Sequence, residues 1–146
     1  MGARDAGAAG DPTAPLRLPG DAAPADGPGA LLAALLAALR AGRDDGAAAL
    51  WAALTPRARG PLGDVAGASR ALGNELLAPL VGHASAVVDP WEVRGEAART
   101  HVRVAGDPAR APSGQAATAL YLVSARRDAE TGWRLTGLRR DDLPWA

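Results

Sequence analysis

The 146-residue chain contains no cysteine, lysine, isoleucine or phenylalanine. Each of the chemically useful absences closes a class of reaction. Without cysteine there is no disulfide, no thiol nucleophile and no iron–sulfur ligation, and nothing follows about compartment. Without lysine there is no Schiff base and no Walker-type phosphate loop. Two histidines with no thiol beside them leave little for a metal site, and no cofactor is implied. Ser69, Ser85, Ser113 and Ser124 do not sit in G-x-S-x-G, and no G-x-G-x-x-G follows a strand pattern. No apolar run approaches the roughly 20 residues that a membrane-spanning helix needs.

What remains is rich in alanine and glycine, and every one of its sixteen basic residues is arginine. That preference reads as mutational bias before it reads as function. Sixteen acidic residues balance the arginines, so the formal net charge is zero. A chain with that balance has no overall field to draw in nucleic acid. It also lacks the basic–aromatic interleaving of single-strand binders, which sets that partner class aside.

Residues 1–29 are mostly Gly, Ala, Pro and Asp, with Arg4 and Arg17 against Asp5, Asp11, Asp21 and Asp26. A segment with so little to bury is expected to be a disordered tail. It has neither the early apolar stretch of a signal peptide nor the acid-poor composition of a transit peptide. An unusually long secretion signal, formed by the tail and Leu31 to Leu39 together, is the alternative. Residues 30–146 are then long enough for one domain with its own core.

Helical signals come first. Leu31, Leu32, Leu35, Leu36 and Leu39 share one face, and Arg40 and Gly42 suit the end of that helix. Asp44 or Asp45 caps a second helix, Ala47 to Leu54, which Thr55-Pro56 ends. Residues 57–63 read as loop, and Asp64 caps a third helix carrying Val65, Ala68 and Leu72. A short apolar turn from Glu75 to Leu80 follows, closed by Pro79 and Gly82.

From His83 onward the period is two. Strands are expected over Ala84 to Val88, continuing at Trp91 to Arg94 after Asp89-Pro90, and over Ala98 to Ala105. In the latter, Thr100, Val102 and Val104 face one way and His101 and Arg103 the other. The strongest pattern is the last: Ala117 to Arg127, a polar turn ending in Gly132, and an arm holding Trp133 and Leu135. In that second arm simple alternation puts Trp133, Leu135 and Gly137 on one face and Arg134, Thr136 and Leu138 on the other. The first arm is apolar on both faces, as in a central strand covered on both sides. Helices followed by about four antiparallel strands describe an α+β fold with helices on one face of a curved sheet.

That order resembles the cystatin-like cone of the nuclear-transport-factor-2-like superfamily. The likeness rests on RAGRDDGAAALWAALTPRAR (40–59) and on the closing GWRLTGLRRDD (132–142). LLAPLVGHASAVV (76–88) with the late WRLTGLRRDD is also similar to an uncharacterised family of photosynthetic organisms and bacteria. The resemblance implies a cone over Leu31 to Asp142 and carries no catalytic residues. It leaves the compartment as cytoplasmic, or plastid in a photosynthetic eukaryote.

Two functions follow. One is a non-catalytic module that holds a small apolar ligand in the cone or assembles through the sheet face, as a homodimer for instance. The other is an isomerase- or cyclase-like enzyme. In that case Asp89 is the base, Tyr121 the group holding the oxyanion, and His83 an auxiliary. The ordinary roles of these residues are a turn former, a core side chain and a hydrogen-bonded junction. His101 and Arg103 are candidates for an anionic ligand or partner carboxylate, and Arg139, Arg140, Asp141 and Asp142 for local pairs. Trp133 is expected in the core, and Trp91 and Trp145 at the open end of the cone or in an interface.

Overall fold

The computed structural model describes residues 14–110, 114 and 117–143. Elements follow in the order β1 (Leu16–Leu18), α1 (Gly27–Ala41), α2 (Arg43–Ala53), α3 (Pro56–Arg59), α4 (Val65–Leu72), a 3-10 turn (Ala78–Leu80), β2 (Ser85–Val88), β3 (Glu92–Arg94), β4 (Ala97–Ala105), a second 3-10 turn (Pro108–Arg110), β5 (Thr118–Asp128) and β6 (Gly132–Arg140). Apart from β1, the helices precede the sheet, as the periodicity indicates. The sheet has six strands rather than about four, in the order β1-β2-β4-β5-β6 with β3 also on β4, and every ladder is antiparallel.

The leucine stripe of α1 buries Leu32, Leu35, Leu36 and Leu39. These meet the inward residues of the sheet: Ala86 and Val88, Val102 and Val104, Ala119, Tyr121 and Val123, and Leu135. Each such side chain removes about 1.5–3 kcal/mol of apolar exposure from water, so this layer dominates the stability. The helix begins at Gly27, four residues before the leucines, because Pro28 suits a first turn that needs no N–H there. At α4 the Asp64 carboxylate accepts from Gly67 N (2.8 Å), the expected cap. A Cβ at Gly67 would fall inside the van der Waals shell of the Leu62 carbonyl oxygen, so the loop before α4 closes on a glycine. That loop is not wholly irregular. Pro56–Arg59 makes one helical turn, capped when the Thr55 hydroxyl accepts from Ala58 N (3.1 Å).

The sheet departs from the expected pattern in two places. Leu16–Leu18, within the stretch read as a disordered tail, pairs with Ala86–Val88 and lays Leu16 and Leu18 against the core. Two leucines at strand spacing meet an apolar strand edge, and composition alone hides that. The second departure is a bulge in β6. Ser124 pairs with Gly137 but Ala125 pairs with Leu135, so Thr136 is an inserted residue. The insertion reverses the alternation. Leu138 therefore sits opposite Val123 and joins Leu135 on the core face, not on the face opposite it.

The hairpin turn is held by Asp128, whose Oδ1 accepts from Glu130 N (2.7 Å) and Thr131 N (3.2 Å). Those two amides hold its carboxyl below the usual carboxylate range. Gly132 then takes φ +75°, a conformation that L side chains rarely adopt. Midway along β6, Thr55 N donates to Leu135 O (2.9 Å), and Leu54 forms a parallel bridge to Leu135. Among the described residues, no helix is long and apolar enough to cross a membrane.

Candidate binding face

All the helices that pack on the sheet do so on one side. Along β4 buried residues alternate with more exposed ones, so Ala98, Thr100, Val102 and Val104 face the helices. Ala97, Arg99, His101 and Arg103 face away. Cross-strand partners share a face, so the register extends this outer surface strand by strand. Arg17 lies with Val87 and Arg103, and Arg103 with Leu120. His101 lies with Leu122 and Arg139. Glu92 lies with Arg99 and Ser124, and Arg94 with Ala97, Arg126 and Arg134.

Arginine is therefore concentrated on the side that the helices leave open. Its acids are few and mostly committed. Glu92 Oε1 pairs with Arg99 (3.1 Å), and Asp141 Oδ2 lies 2.8 Å from His101 Nε2. A net charge of zero concealed this segregation: the chain is balanced as a whole and cationic on one face. In the middle of that face Leu120 and Leu122 are half-buried, with no helix among the described residues packed over them. No aromatic residue of β1 to β6 points outward, because Tyr121 and Trp133 belong to the core-facing set.

A groove of about 350 Å³ opens on this face. It is lined by Arg94, Arg99, Arg126, Glu92, Ser124 and Thr136, over Ala97, Ala98 and Ala125. The groove arises because small residues, Ala97 and Ser124, sit between long ones. The bulge adds to it by turning Thr136 outward, and Gly137 leaves open space where a side chain would stand.

The residues proposed for catalysis are not brought together. Tyr121 is fully buried and its hydroxyl donates to Leu76 O. Burial pushes that hydroxyl up to about 12; Asp142 reinforces the shift and Arg140 opposes it. Arg140, whose guanidinium lies 5.8 Å from the Tyr121 ring centroid, is held by Asp142 (2.6 Å). His83 is 2% exposed and places Nδ1 2.7 Å from Leu80 O, so in the neutral ring Nδ1–H donates. Desolvation lowers its pKa below 6.5, the Leu80 carbonyl opposes that, and Arg40 adds to it. Asp89 is exposed, one residue past core-facing Val88, and so lies on the opposite face of the sheet from Tyr121. Its backbone carbonyl accepts from the Thr100 hydroxyl (2.6 Å). Base and oxyanion holder thus stand on opposite faces of the sheet.

The other candidates separate similarly. His101 finds a carboxylate, as its face suggested, but it is Asp141 of the same chain. The closing charges thus do not all pair among themselves. Arg103 is exposed among Val87 and Leu120. Trp133 packs on the core from the edge of β6, with Arg127 6.0 Å from its ring centroid. Trp91 also packs on the core, beside Gly29 at the start of α1. Trp145 lies outside the described residues. Sequence reasoning missed Arg94, Arg99, Arg126 and Arg134. Each stands at an alternate position of its strand, and the signal was there strand by strand, but only the register joins them. The chain matches no family model, no curated protein and no solved structure.

Proposed function

We propose that this chain is a non-catalytic binding module that docks an acidic, partly apolar protein segment on the outer face of its sheet. The observation that carries the reading is the placement of Arg99, Arg103 and Arg139 around Leu120 and Leu122 on the side without helices, with Arg17 and Arg94 farther out on the same face. Complementary charge steers such a segment in, and desolvation of the two leucines adds affinity. Nucleic acid suits the face less well, since the surface has no aromatic platform for bases and a phosphate backbone has nothing to set on leucine. A homodimer through the same face would oppose arginine to arginine across a twofold axis.

The order of helices before an antiparallel sheet supports kinship with the nuclear-transport-factor-2-like proteins and a cone-like curvature. In this chain the inside of such a cone is occupied by Leu32, Leu35, Leu39 and Tyr121, which argues for surface binding over an enclosed apolar ligand.

The test uses the full chain with three fluorescent probes: a peptide alternating Glu and Leu, its Lys/Leu counterpart, and a single-stranded RNA. The Glu/Leu peptide should bind best, and the double variant Arg103→Glu/Leu122→Glu should weaken it at least tenfold with an unchanged Tm. Equal binding to the variant, or tighter binding of RNA, would overturn the reading. So would native mass spectrometry showing a dimer that survives about 0.5 M salt, where exposed charge attractions are screened.

A further inference from the structure

Within the groove the charges are arranged at a cost. Arg94, Ala97, Arg126 and Arg134 lie in one cross-strand row, and the row contains no carboxylate. Arg126 and Arg134 are directly opposite each other, and like charges in that position destabilise a sheet. Arg94 and Arg126 flank Ala97 from the two neighbouring strands, about 10 Å apart by strand spacing, so both guanidinium groups can lean over the alanine methyl. Among the described residues no acid forms an ion pair with this row. Glu92 holds Arg99 in the adjacent row, and Asp128, which feels Arg134, is occupied by the turn amides.

We infer that this groove binds a phosphoryl group carried by the docked protein segment. The inference rests on the docking reading above and names the chemistry at one end of it. A phosphoryl group at neutral pH carries a charge of about −1.5 to −2 and three acceptor oxygens. It can answer Arg94 and Arg126 together, where a single carboxylate answers one of them. Guanidinium forks match phosphate oxygens in bidentate geometry, and Ser124 and Thr136 supply hydroxyl donors at the groove wall. The volume of about 350 Å³ accommodates the group and the side chain that bears it. A protein source is favoured over free phosphate by what lies next along β5. Ser124, Leu122 and Leu120 follow one another on the outer face about 7 Å apart. A residue two places from the phosphorylated one therefore finds an apolar seat.

Isothermal titration of the full chain tests this with a Glu/Leu peptide bearing one phosphoserine, the same peptide with serine, and inorganic phosphate. The phosphoserine form should bind wild type at least tenfold tighter than the serine form. In Arg126→Gln that advantage should vanish, with the phosphoserine peptide weakening far more than the serine peptide. The same variant should melt higher than wild type, since it removes the repulsion from Arg134, which also shows that it folds. Absence of a phosphoserine advantage overturns the groove and leaves the docking face standing. Failure of the serine peptide to bind wild type overturns the docking face itself. Inorganic phosphate binding as tightly as the phosphopeptide overturns the protein-borne source in favour of a free anion.

Discussion

The hydroxyl of Tyr121 donates to the carbonyl of Leu76, joining the centre of the sheet to a segment 45 residues earlier. The contact anchors the loop that carries Leu76 and Leu77 between α4 and the first 3-10 turn over the inner face of β5. It also withdraws the sole tyrosine from any catalytic task.

Tyr121→Phe should therefore destabilise the fold by about 0.5–1.5 kcal/mol, the usual net contribution of one intramolecular hydrogen bond, since Leu76 is itself exposed. Urea denaturation of wild type and variant measures it. The hydroxyl titrates near 10 in the unfolded chain and about 12 in the folded one, so the folded state holds its proton more firmly. Its contribution is complete below pH 10 and is lost as pH rises toward 12. Absorbance at 295 nm should show no tyrosinate before pH 11 in the folded protein; an ordinary titration near 10 would contradict the burial.

His83 gives the opposite dependence on the acid side. Its pKa is depressed in the folded state from 6.5, so the unfolded state binds the proton first as pH falls. Stability due to the neutral ring is whole above 6.5 and declines below it. Between pH 7 and pH 5 the Tm of wild type should drop further than that of His83→Asn, whose amide can still donate to Leu80 O. Parallel curves would show that His83 does not titrate across folding.

Gly67→Ala should be among the costliest single-methyl additions. The new Cβ would press on the Leu62 backbone, which cannot swing aside as a side-chain end does. The loss should exceed the ~1–3 kcal/mol of ordinary overpacking. Neighbouring Ala66→Ser, on an exposed position, serves as the control and should shift Tm little.

Deletion of Thr136 would remove the extra residue of β6 and leave Gly137 opposite Ser124 and Leu138 opposite Val123, still on the core face. The deletion should therefore shift Tm little, whereas Leu138→Ala should cost about 2 kcal/mol. A deletion variant that loses as much stability as Leu138→Ala would show that the bulge itself seats Leu138.

Much of the fold could be read from residues because local periodicity and burial agree. The leucines of α1, the valines of β4, the cap at Asp64 and the turn at Gly132 each carry their signal within a few positions. What could not be read depends on pairing between distant segments. Leu16-Arg17-Leu18 is too short to show a period, and its partner Val88 lies far along the chain. The bulge is visible only as a register shift against β5. The arginine face is the largest such omission. Every strand except β2 offers an arginine to this face, and a net charge summed over the chain erases the pattern that the register creates. Asp89, Tyr121 and His83 were plausible as residue types, and only the register puts Asp89 and Tyr121 on opposite faces of the sheet.

The bond from Thr55 N to Leu135 O has a consequence for how copies of this protein can aggregate. Strand β6 is the free margin of the sheet, and this bond plugs it at its midpoint, so an incoming strand finds a broken row of donors and acceptors. At the other margin β1 spans three residues and runs into Pro19, which has no N–H to give. Polymer growth by adding strand to strand is thus hindered at β6 and at β1, and β3, which pairs only with β4, offers a margin of just three residues.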